Sequence, residues 1–428
     1  MNTSSLHTRL RISRLGQRGE GIAQGEDGLV FTPYALPGEL IVADVDGERG
    51  VLAEILEPSP DRIAAFCPHF SICGGCAVQT LAHPAYAIWK HSLVTAALEH
   101  ARVDAKVDDL IDAHGAGRRR ATFHARFDRN ATVRVETTVG FMRGRAHEII
   151  AIDACPILSP DMAGALPAAR RIADALADHG KPLDIIATAT TEGLDIDLHG
   201  AGKIDAVLRQ SLIRIAGDLD LARLSNHGDI LIERRAPTLE MGIARVAPPP
   251  GSFLQATVAG EEALARLVSE AIGKAKRVAD LFAGIGTFAL RLATNRDVFA
   301  AESDAAALAA LARASHRPGV RAVKTEVRDL FRRPLLGGEL DAFDAVVFDP
   351  PRAGAEGQAR ALAQSKVPTV VAVSCSAQTF ARDAALLVAG GYKVDRITPI
   401  DQFRHSPHVE IVGVFRKPAP KKRGRLLG

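Results

Sequence analysis

The stretch from Val278 to Ala289 most constrains what this chain can fold into. It reads Val-Ala-Asp-Leu-Phe-Ala-Gly-Ile-Gly-Thr-Phe-Ala, so an apolar run ends in an acid and is followed by glycines and a helix-like pattern. Such an order predicts a strand, a tight turn and a helix N-terminus. Gly284-x-Gly286-x-x-Ala289 fits a dinucleotide fingerprint, and Glu302 follows at about the spacing of a ribose-binding acid. The stretch therefore predicts a nucleotide-like cofactor, either a dinucleotide or another kind such as S-adenosylmethionine.

Length and composition bound the remaining possibilities. The 428 residues predict two to three domains, and 47% hydrophobic with 24% charged residues is typical of a soluble globular protein. No apolar run is long enough to span a bilayer, and the N-terminus lacks the order of a signal peptide, so a cytoplasmic protein without membrane contact is expected. The net charge of +3 is too small to indicate nucleic-acid binding by itself. Basic residues do cluster locally, at Arg118–Arg120, at Arg143-x-Arg145 and in the tail at Lys421-Lys422-Arg423-x-Arg425.

The pattern changes twice along the chain and predicts three domains. Residues 1–57 contain short apolar runs separated by turns, which is typical of a small β-barrel of oligonucleotide-binding type. That barrel could bind RNA or serve as a structural cap. Residues 58–240 mix strands and helices, which predicts an α+β central domain. Residues 241–428 alternate strictly between strands and helices. They predict a mostly parallel, doubly wound Rossmann-like sheet of seven strands, with the last strand inserted antiparallel because no helix precedes it.

Acids stand at the ends of the predicted strands of the C-terminal domain. Ligands in an open α/β sheet lie beyond the carboxyl ends of the strands. Asp280 ends the first strand, Glu302 the second and Asp349 the fourth, and Asp329 follows the third. The carboxylate of Glu302 is suited to bind the hydroxyls of a ribose, and that of Asp329 is suited to bind an adenine amine. Asp349 precedes two prolines, so its carboxylate should be held rigidly as a hydrogen-bond acceptor. Asp280 is suited to contact an ammonium group. No residue beyond the glycines offers a grip for a pyrophosphate, which weakens the dinucleotide interpretation.

A thiol and a further acid complete this edge. Cys375 ends the fifth strand, between Ser374 and Ser376, just before a predicted helix. A helix N-terminus lowers the pKa of a thiol and favours a thiolate nucleophile, although a lone cysteine is more often inert. Glu410 precedes the last strand and could act as a general base or be an exposed turn acid.

The other cysteines are Cys67, Cys73 and Cys76, in a C-x5-C-x2-C spacing, and Cys155, which precedes a proline. Four cysteines suffice for a four-cysteine zinc site or a cubane iron–sulfur cluster. Zinc ribbons usually contain two C-x2-C pairs, whereas this chain has one. The spacing therefore favours iron–sulfur by a small margin.

Together these residues resemble the S-adenosylmethionine-dependent RNA uracil-5-methyltransferase family. Within it, the chain is most similar to the bacterial 23S ribosomal RNA type with a TRAM domain and a 4Fe–4S cluster, over nearly the whole chain. The resembling segments are Gly16-x-x-Gly19-x-Gly21 and Ala35-Leu36-Pro37-Gly38-Glu39 for TRAM, Gly74-Gly75-Cys76-x-x-Gln79 for the cluster, Phe253-x-Gln255, Asp280-Leu281-Phe282-x-Gly284-x-Gly286, Asp349-Pro350-Pro351-Arg352-x-Gly354, Ser374-Cys375 and His408-x-Glu410.

The resemblance implies roles for particular residues. Cys375 would be the nucleophile and Glu410 the base. The implied contacts of S-adenosyl-L-methionine are Gln255, Phe282, Thr287, Glu302, Asp329 and Asp349, and the implied ligands of the 4Fe–4S cluster are Cys67, Cys73, Cys76 and Cys155. The chain departs from the family pattern at Ser376-Ala377, where many members have Asn-Pro, and at Thr257 and Thr287, where many have Asn.

The chemistry of the family accounts for these residue types. C5 of uracil is a poor nucleophile until a thiolate adds to C6, and a base must then remove the C5 proton. The base has to leave its stack to reach a strand-end pocket, so flipped or single-stranded RNA is the expected substrate. We expect 23S rRNA as the target, the barrel and the central domain with Arg118–Arg120 as the RNA grip, and no obligate protein partner. The alternatives are a tRNA uracil-5-methyltransferase of the same mechanism, a non-catalytic cluster-containing RNA-binding protein and a dehydrogenase.

Overall fold

The computed structural model describes residues 6–129 and 135–418. The chain divides into two compact units, and both are built from several separate segments. One unit comprises Met1–Leu93, His114–Ala236 and Phe403–His408, and the other comprises Val94–Ala113, Pro237–Gln402 and Val409–Gly428. We call them the N-terminal unit and the C-terminal unit. The three-domain division at residues 57 and 240 stays a prediction.

The N-terminal unit begins with a closed five-stranded β-barrel. Its strands are β1 Leu6–Leu15, β2 Glu20–Gln24, β3 Leu29–Pro33, β4 Leu40–Asp46 and β5 Arg49–Glu57. They pair in the order β1-β2-β3-β5-β4, and β1 closes the barrel against β4. Alternate residues such as Leu10, Ile12, Ile41 and Ala43 point inward and form the barrel's own core. The predicted N-terminal barrel is confirmed.

Helix α1 (His83–His100) and the short strand β6 (Ile111–Asp112) follow the barrel. Trp89 and Tyr86, in the first half of α1, pack with Leu36, Val78 and Leu81 in a small core of the N-terminal unit. The indole N–H of Trp89 donates a 3.0 Å hydrogen bond to the carbonyl of Gly16. The second half of α1 belongs to the C-terminal unit, where Val94 and Leu98 are buried.

The rest of the N-terminal unit is a seven-stranded sheet with two helices. Its elements are β7 Arg120–Arg129, β8 Val135–Met142, β9 Ile149–Ala151, α2 Ala165–Ala175, β10 Leu183–Thr190, β11 Gly193–His199, α3 Ala206–Asp218, β12 Arg223–Asn226 and β13 Asp229–Glu233, with 3-10 turns at Pro160–Met162 and Ala177–His179. The strand order is β13-β12-β11-β10-β7-β8-β9. Helix α3 and strand β12 were not predicted. Side chains of one sheet face pack with α2 and α3, as Ile196 and Leu198 do with Ile172 and Leu212.

The C-terminal unit is a helix-flanked sheet, preceded by the hairpin β14–β15. Its elements are β14 Leu239–Met241, β15 Ala244–Val246, α4 Val258–Ile272, β16 Arg277–Leu281, α5 Ala289–Leu292, β17 Asp297–Glu302, α6 Ala305–Ser315, β18 Lys324–Val327, α7 Gly337–Leu340, β19 Ala345–Phe348, α8 Glu356–Gln364, β20 Thr369–Ser374, α9 Ala377–Ala389, β21 Lys393–Asp401 and β22 Glu410–Arg416.

This sheet has the order β18-β17-β16-β19-β20-β22-β21-β6. Strands β16 to β20 run parallel, and β22 pairs antiparallel with both β20 and β21. The predicted Rossmann-like sheet with an antiparallel β22 is confirmed. The eighth strand, β6, was not predicted because its two residues, which pair with Ile400 and Asp401, carry no periodic signal.

The carboxyl ends of β16, β17, β19 and β20 meet at one edge of the sheet because these strands are parallel neighbours. Asp280, Glu302, Asp349 and Cys375 lie at or just beyond these ends. None of the described helices is long and apolar enough to cross a membrane.

Candidate active site and cysteine segment

The turn after β16 is a tight backbone turn that needs glycine. Phe282, Gly284 and Gly286 all have positive φ angles, of 61°, 54° and 99°. A Cβ atom on Gly286 would lie 2.8 Å from Cγ of Leu311 and 3.0 Å from Cγ of Leu290. Any side chain at position 286 would therefore force the turn away from α5 and α6. At Gly284, by contrast, a Cβ atom would meet nothing within 4 Å, so the backbone there is open to the approach of a nucleoside.

Asp280 is buried beneath this turn. Its Oδ2 accepts a 2.8 Å hydrogen bond from the backbone N–H of Ala289, at the start of α5, while Oδ1 has no hydrogen-bond partner among the described residues. Burial, which disfavours the charged carboxylate, raises the pKa of Asp280 to about 8, and the charges of Asp349 and Glu302 add to that rise. Asp280 therefore keeps one buried carboxyl oxygen without a hydrogen-bond partner in the described part of the chain.

Glu302 holds the glycine turn from the neighbouring strand. Its Oε2 accepts a 3.0 Å hydrogen bond from the N–H of Gly284. Its Oε1 accepts from the backbone N–H groups of Ser303 and Asp304, at 2.6 and 3.0 Å, and from the Ser303 hydroxyl at 2.9 Å. A carboxylate fixed in this way presents its remaining acceptor capacity in a defined direction, as a ribose site needs.

Asp349 and Glu410 are joined through two buried glutamines. Gln255 Nε2 donates a 3.0 Å hydrogen bond to Asp349 Oδ2, and Gln402 Nε2 donates to Gln255 Oε1 at 2.6 Å and to Glu410 Oε1 at 3.0 Å. Glu410 Oε2 is buried and has no hydrogen-bond partner among the residues that the structure describes. We call these four residues the glutamine-linked network.

Both carboxyl groups of the glutamine-linked network are easily protonated. Burial raises the pKa of Glu410 to about 8, with a further rise from the charge of Asp349 and opposing effects from the Gln402 hydrogen bond and the charge of Arg352. Burial likewise raises the pKa of Asp349 to about 7, against the hydrogen bond from Gln255. Carboxyl groups that titrate near neutral pH are suited to proton transfer.

Cys375 lies between β20 and α9, where Ser376 is the N-cap residue of the helix and accepts from the N–H of Thr379. The predicted lowering of the thiol pKa is wrong for the free protein. Burial raises the pKa of Cys375 to about 11, the charges of Glu410 and Asp349 raise it further, and the charge of Arg352 lowers it. Desolvation and two nearby carboxylates outweigh the helix N-terminus because they act directly on the thiolate charge.

Asp329, Phe282 and Thr287 complete the implied cofactor set. Asp329 Oδ1 caps its own turn, accepting from the N–H groups of Phe331 at 3.0 Å and Arg332 at 3.3 Å. The rings of Phe282 and Phe331 are 5.3 Å apart. Thr287 is partly exposed in the glycine turn. The roles of these three residues toward a cofactor stay predictions.

Two buried polar residues, one in each unit, were missed in the sequence. Gln402 follows β21 and was not singled out because a lone glutamine in a short loop carries no motif. Lys90 is completely buried in the N-terminal unit, and its Nζ donates to the carbonyls of Phe403 and His408. Its ammonium therefore joins the two ends of the segment that immediately precedes Val409 and Glu410 in the chain.

The cysteines Cys67, Cys73, Cys76 and Cys155 lie together in the N-terminal unit. Each of the four thiols is close enough to at least one other for the charge of one to raise the pKa of the other. Burial raises the pKa of Cys76 to about 11 and also raises the pKa of Cys73 and Cys155. The backbone N–H of Gly75 donates a 3.4 Å hydrogen bond to Sγ of Cys73.

The thiols of these four cysteines are the type of ligand that a metal–sulfur cluster takes. The four thiols are part-buried, and both the Gly75 N–H and the charge of Arg118 favour thiolate forms. Among the described residues, however, no group of three or more His, Cys, Asp or Glu side chains is spaced to hold a metal ion. A single zinc ion needs all its thiolates about 2.3 Å from one point. A cubane is bound at four separate iron atoms and therefore accepts thiols that are farther apart.

The arginines expected to grip RNA are less available than predicted. Arg119 is buried, and Arg120 is near the carboxylates of Asp195 and Asp197, with burial lowering its pKa. The guanidinium of Arg118 lies 5.4 Å from the ring centre of Phe403. The sequence pattern could not reveal this burial because three consecutive arginines are usually a solvated surface. The basic tail from Lys421 lies outside the described residues.

The fold is shared with a solved structure. Pyrococcus abyssi tRNA (uracil-54, C5)-methyltransferase, in complex with S-adenosyl-L-homocysteine, matches with a TM-score of 0.74 and 22% sequence identity, over 95% of this chain and 99% of that one. The fold class is therefore a multidomain protein with an N-terminal β-barrel and a Rossmann-like methyltransferase sheet.

Sequence comparisons identify the family within that class. The family model described as tRNA (Uracil-5-)-methyltransferase matches residues 248–418. An uncharacterised RNA methyltransferase of Brucella suis biovar 1 is 46% identical over 97% of this chain and 99% of its own length. An uncharacterised RNA methyltransferase of Caulobacter vibrioides is 43% identical over 95% and 99%. The 23S rRNA (uracil(1939)-C(5))-methyltransferase of Aeromonas hydrophila is 28% identical over 95% of both chains. The chain belongs to the family of S-adenosylmethionine-dependent RNA (uracil-5-)-methyltransferases.

Proposed function

We propose that this enzyme methylates C5 of a uridine through a covalent bond between Sγ of Cys375 and C6 of the uracil ring. One observation carries the proposal. The thiol of Cys375 is within electrostatic range of Glu410, whose pKa is raised to about 8 and whose buried Oε2 has no partner in the described part of the chain. A nucleophile beside an acceptor that has one unused oxygen is what addition at C6 and proton removal at C5 require.

The reaction can be written with every electron pair accounted for. The thiolate of Cys375 adds to C6, and the electron pair of the C5=C6 bond moves into the adjacent carbonyl to give an enolate. S-adenosylmethionine would supply the methyl group to C5 of that enolate: the pair of the S–CH3 bond would stay on sulfur, which would leave as S-adenosylhomocysteine, and the carbonyl would form again. Glu410 then removes the C5 proton, the C5–H electron pair forms the C5=C6 bond again, and the C6–S bond breaks to return the thiolate.

The free protein holds Cys375 mainly as a thiol, because its pKa is raised to about 11. A positive charge near Asp349 and Glu410 would lower the pKa of all three groups, and Arg352 already acts in that direction on Cys375 and Glu410.

Residues around the glycine turn would bind the cofactor. The Oε atoms of Glu302 suit ribose hydroxyls, and Oδ1 of Asp280, which has no partner in the described part of the chain, is available to a polar group of the cofactor. Gln255 and Asp349 are joined by a 3.0 Å hydrogen bond, so they form one polar wall. Phe282, Thr287 and Asp329 would complete the site.

We infer 23S rRNA as the substrate. The support is the Aeromonas hydrophila relative, whose name gives that RNA and which matches 95% of both chains. A tRNA is the second candidate, because the family model and the Pyrococcus abyssi enzyme carry tRNA in their names. Family membership argues against a non-catalytic RNA-binding protein and against a dehydrogenase.

The RNA target can be tested by mass mapping. RNA from a strain lacking this gene should contain one 23S uridine in place of 5-methyluridine, with its tRNA unchanged. Loss of 5-methyluridine from tRNA alone would contradict the rRNA assignment and support the second candidate. Restoring the gene should restore the methyl group, and a gene carrying Cys375→Ala should not.

We also infer that Cys67, Cys73, Cys76 and Cys155 hold a 4Fe–4S cluster, which would order the chain around them, since the reaction transfers no net electrons. The support is the set of four neighbouring thiols with an N–H donor to sulfur. Protein purified without oxygen should contain about four irons per chain and absorb visible light, and Cys76→Ser should lose both. Zinc without iron would contradict this assignment.

The covalent step is tested with RNA that contains 5-fluorouridine, because fluorine cannot leave as the C5 proton does. The wild-type enzyme should form an adduct that survives denaturation, and Cys375→Ala should form none. Ser376→Ala is the matched control: it removes a neighbouring helix cap, at a cost of about 1 kcal/mol of stability, and should keep the adduct. If the Cys375→Ala variant still binds S-adenosylhomocysteine and also turns over, the covalent mechanism is wrong.

A further inference from the structure

Gln402 is the first residue after β21, in the connection to β22, which begins with the general base Glu410. Strand β21 ends at Asp401 and strand β22 begins at Glu410, and Ile400 pairs with Glu410 across the hairpin. The side chain of Gln402 is completely buried. A buried glutamine must satisfy two N–H donors and one oxygen, so its contacts show what it holds.

Every polar group of Gln402 is used. Its Nε2 donates to Gln255 Oε1 at 2.6 Å and to Glu410 Oε1 at 3.0 Å, and its Oε1 accepts from the backbone N–H of Thr257 at 3.4 Å. This pattern fixes the amide in one orientation, because the reversed amide would set an oxygen against Glu410. It also fixes Gln255, whose oxygen faces Gln402 and whose nitrogen faces Asp349.

The first turn of α4 is shaped to admit this side chain. A Cβ atom on Gly260 would lie 2.6 Å from Oε1 and 2.8 Å from Cβ of Gln402. Thr257 caps the same helix, accepting from the N–H of Gly260 at 2.9 Å. Its hydroxyl donates to the carbonyl of Ala113 at 2.6 Å. The absence of a side chain at position 260 therefore makes room for Gln402 within a firmly held backbone.

We propose that Gln402 is a positioning residue for proton removal from C5. By engaging Oε1 of Glu410 it leaves Oε2 as the oxygen that meets the substrate, and by orienting Gln255 it keeps the amide nitrogen on Asp349. This inference rests on the function proposed above. In the step concerned, the C5 proton passes to Glu410 Oε2, the C5–H electron pair becomes the C5=C6 bond, and Cys375 leaves C6 with the C–S pair.

The loss of Gln402 should affect proton removal more than the steps before it. Addition of Cys375 and transfer of the methyl group do not use Glu410 as a base, so they should tolerate the loss of Gln402. Proton removal should not, because a carboxylate displaced by about 1 Å can cost about 100-fold in rate. The methylated adduct should then accumulate on ordinary RNA. The hydrogen bond from Gln402 also lowers the pKa of Glu410, so its loss should raise that pKa.

The experiment compares Gln402→Leu with wild-type enzyme on two RNAs. On RNA containing 5-fluorouridine, both should form the denaturation-stable adduct at rates within about threefold of each other. On ordinary RNA from the strain lacking the gene, Gln402→Leu should turn over about 10- to 100-fold more slowly and accumulate adduct. The acidic limb of its kcat profile should move to higher pH.

Gln358→Leu is the matched control. Gln358 is a buried glutamine of α8 with two hydrogen bonds to the backbone of Leu335, and it is outside the glutamine-linked network. Its replacement should lower stability without adduct accumulation or a shift of the pH profile. If Gln402→Leu slows both adduct formation and turnover equally, or leaves both unchanged, the positioning role is wrong. If the wild-type enzyme forms no adduct with 5-fluorouridine RNA, the proposed function fails, and this inference fails with it.

Discussion

Two buried polar networks of this protein differ in how completely their carboxylates are paired. On the seven-stranded sheet, Asp195 receives two hydrogen bonds from Arg223, at 2.9 and 2.7 Å. On the same strand, Asp197 Oδ1 accepts from the Ser225 hydroxyl and the Gly228 N–H, and its Oδ2 contacts His199 at 2.8 Å. We call this the paired network. In the glutamine-linked network, Glu410 keeps an oxygen without a partner among the described residues.

The difference separates a structural role from a chemical one. A buried carboxylate without its full set of partners lowers stability, so a protein keeps one where a ligand or a proton will use it. Every oxygen of the paired network already has a partner, which leaves nothing for a substrate. We therefore expect that changes to the paired network reduce stability and that changes to the glutamine-linked network reduce turnover.

The largest effect should come from Glu410→Gln. The amide cannot accept the C5 proton, so turnover should fall by about 10²- to 10⁴-fold, and methylated adduct should accumulate on ordinary RNA. The free energy of unfolding at pH 8 or above should stay the same or rise, because a buried charge is removed. Rates measured with labelled S-adenosylmethionine, together with urea unfolding, test both parts. A clear loss of stability with normal turnover would show that Glu410 has a structural role and not a chemical one.

Asp195→Ala should have the opposite profile. It leaves the buried guanidinium of Arg223 without its principal partner, which typically costs about 3 to 5 kcal/mol of unfolding free energy. Methylation per folded molecule should be retained. Asp218→Ala, which removes an exposed partner of Arg171, is the matched control and should change stability much less. Urea denaturation followed by circular dichroism measures the difference, and equal losses from both variants would contradict the expected role of burial.

A third effect concerns pH. Folding raises the pKa of Asp280 to about 8 from its usual value near 3.8, so the folded state favours the protonated form. Its contribution to stability is complete below the unfolded pKa and is lost as the pH rises through about 8. Asp280→Asn lacks this titration, so its melting temperature relative to wild type should increase between pH 5 and pH 9. A constant difference over that range would show that Asp280 is ionised in the free protein.

The smallest effect is on the reactivity of Cys375. The charge of Glu410 raises the pKa of this thiol, so Glu410→Gln should lower it and speed alkylation at pH 9, by about tenfold for each unit of pKa. Peptide mass spectrometry after iodoacetamide treatment separates Cys375 from the other four cysteines. Asp195→Ala should leave the alkylation rate unchanged. An unchanged rate in Glu410→Gln would mean that the carboxylate is already neutral at that pH.

Much of the C-terminal sheet could be predicted because its signals are local. Apolar runs ending in Asp280, Glu302, Asp349 and Cys375 indicate strand ends, and parallel strands bring those ends to one edge. The barrel could also be predicted, from short apolar runs that are separated by turns. Helix α3 was missed although Leu208, Leu212 and Ile215 have helical spacing and Asp205 caps the helix. Strand β12 was missed because its four residues are too few to show a periodic pattern.

The sequence by itself determined which residues end which strands, where the glycines permit a turn and how many thiols are available. Tertiary structure decided the electrostatics. It buried Arg119 in a run that looked like surface, and it placed the half-buried Cys375 near two carboxylates, which raises a pKa that its helix was expected to lower. It also brought Gln402 against Glu410 and Gln255. Burial and charge proximity depend on residues far apart in the chain, so no local pattern could report them.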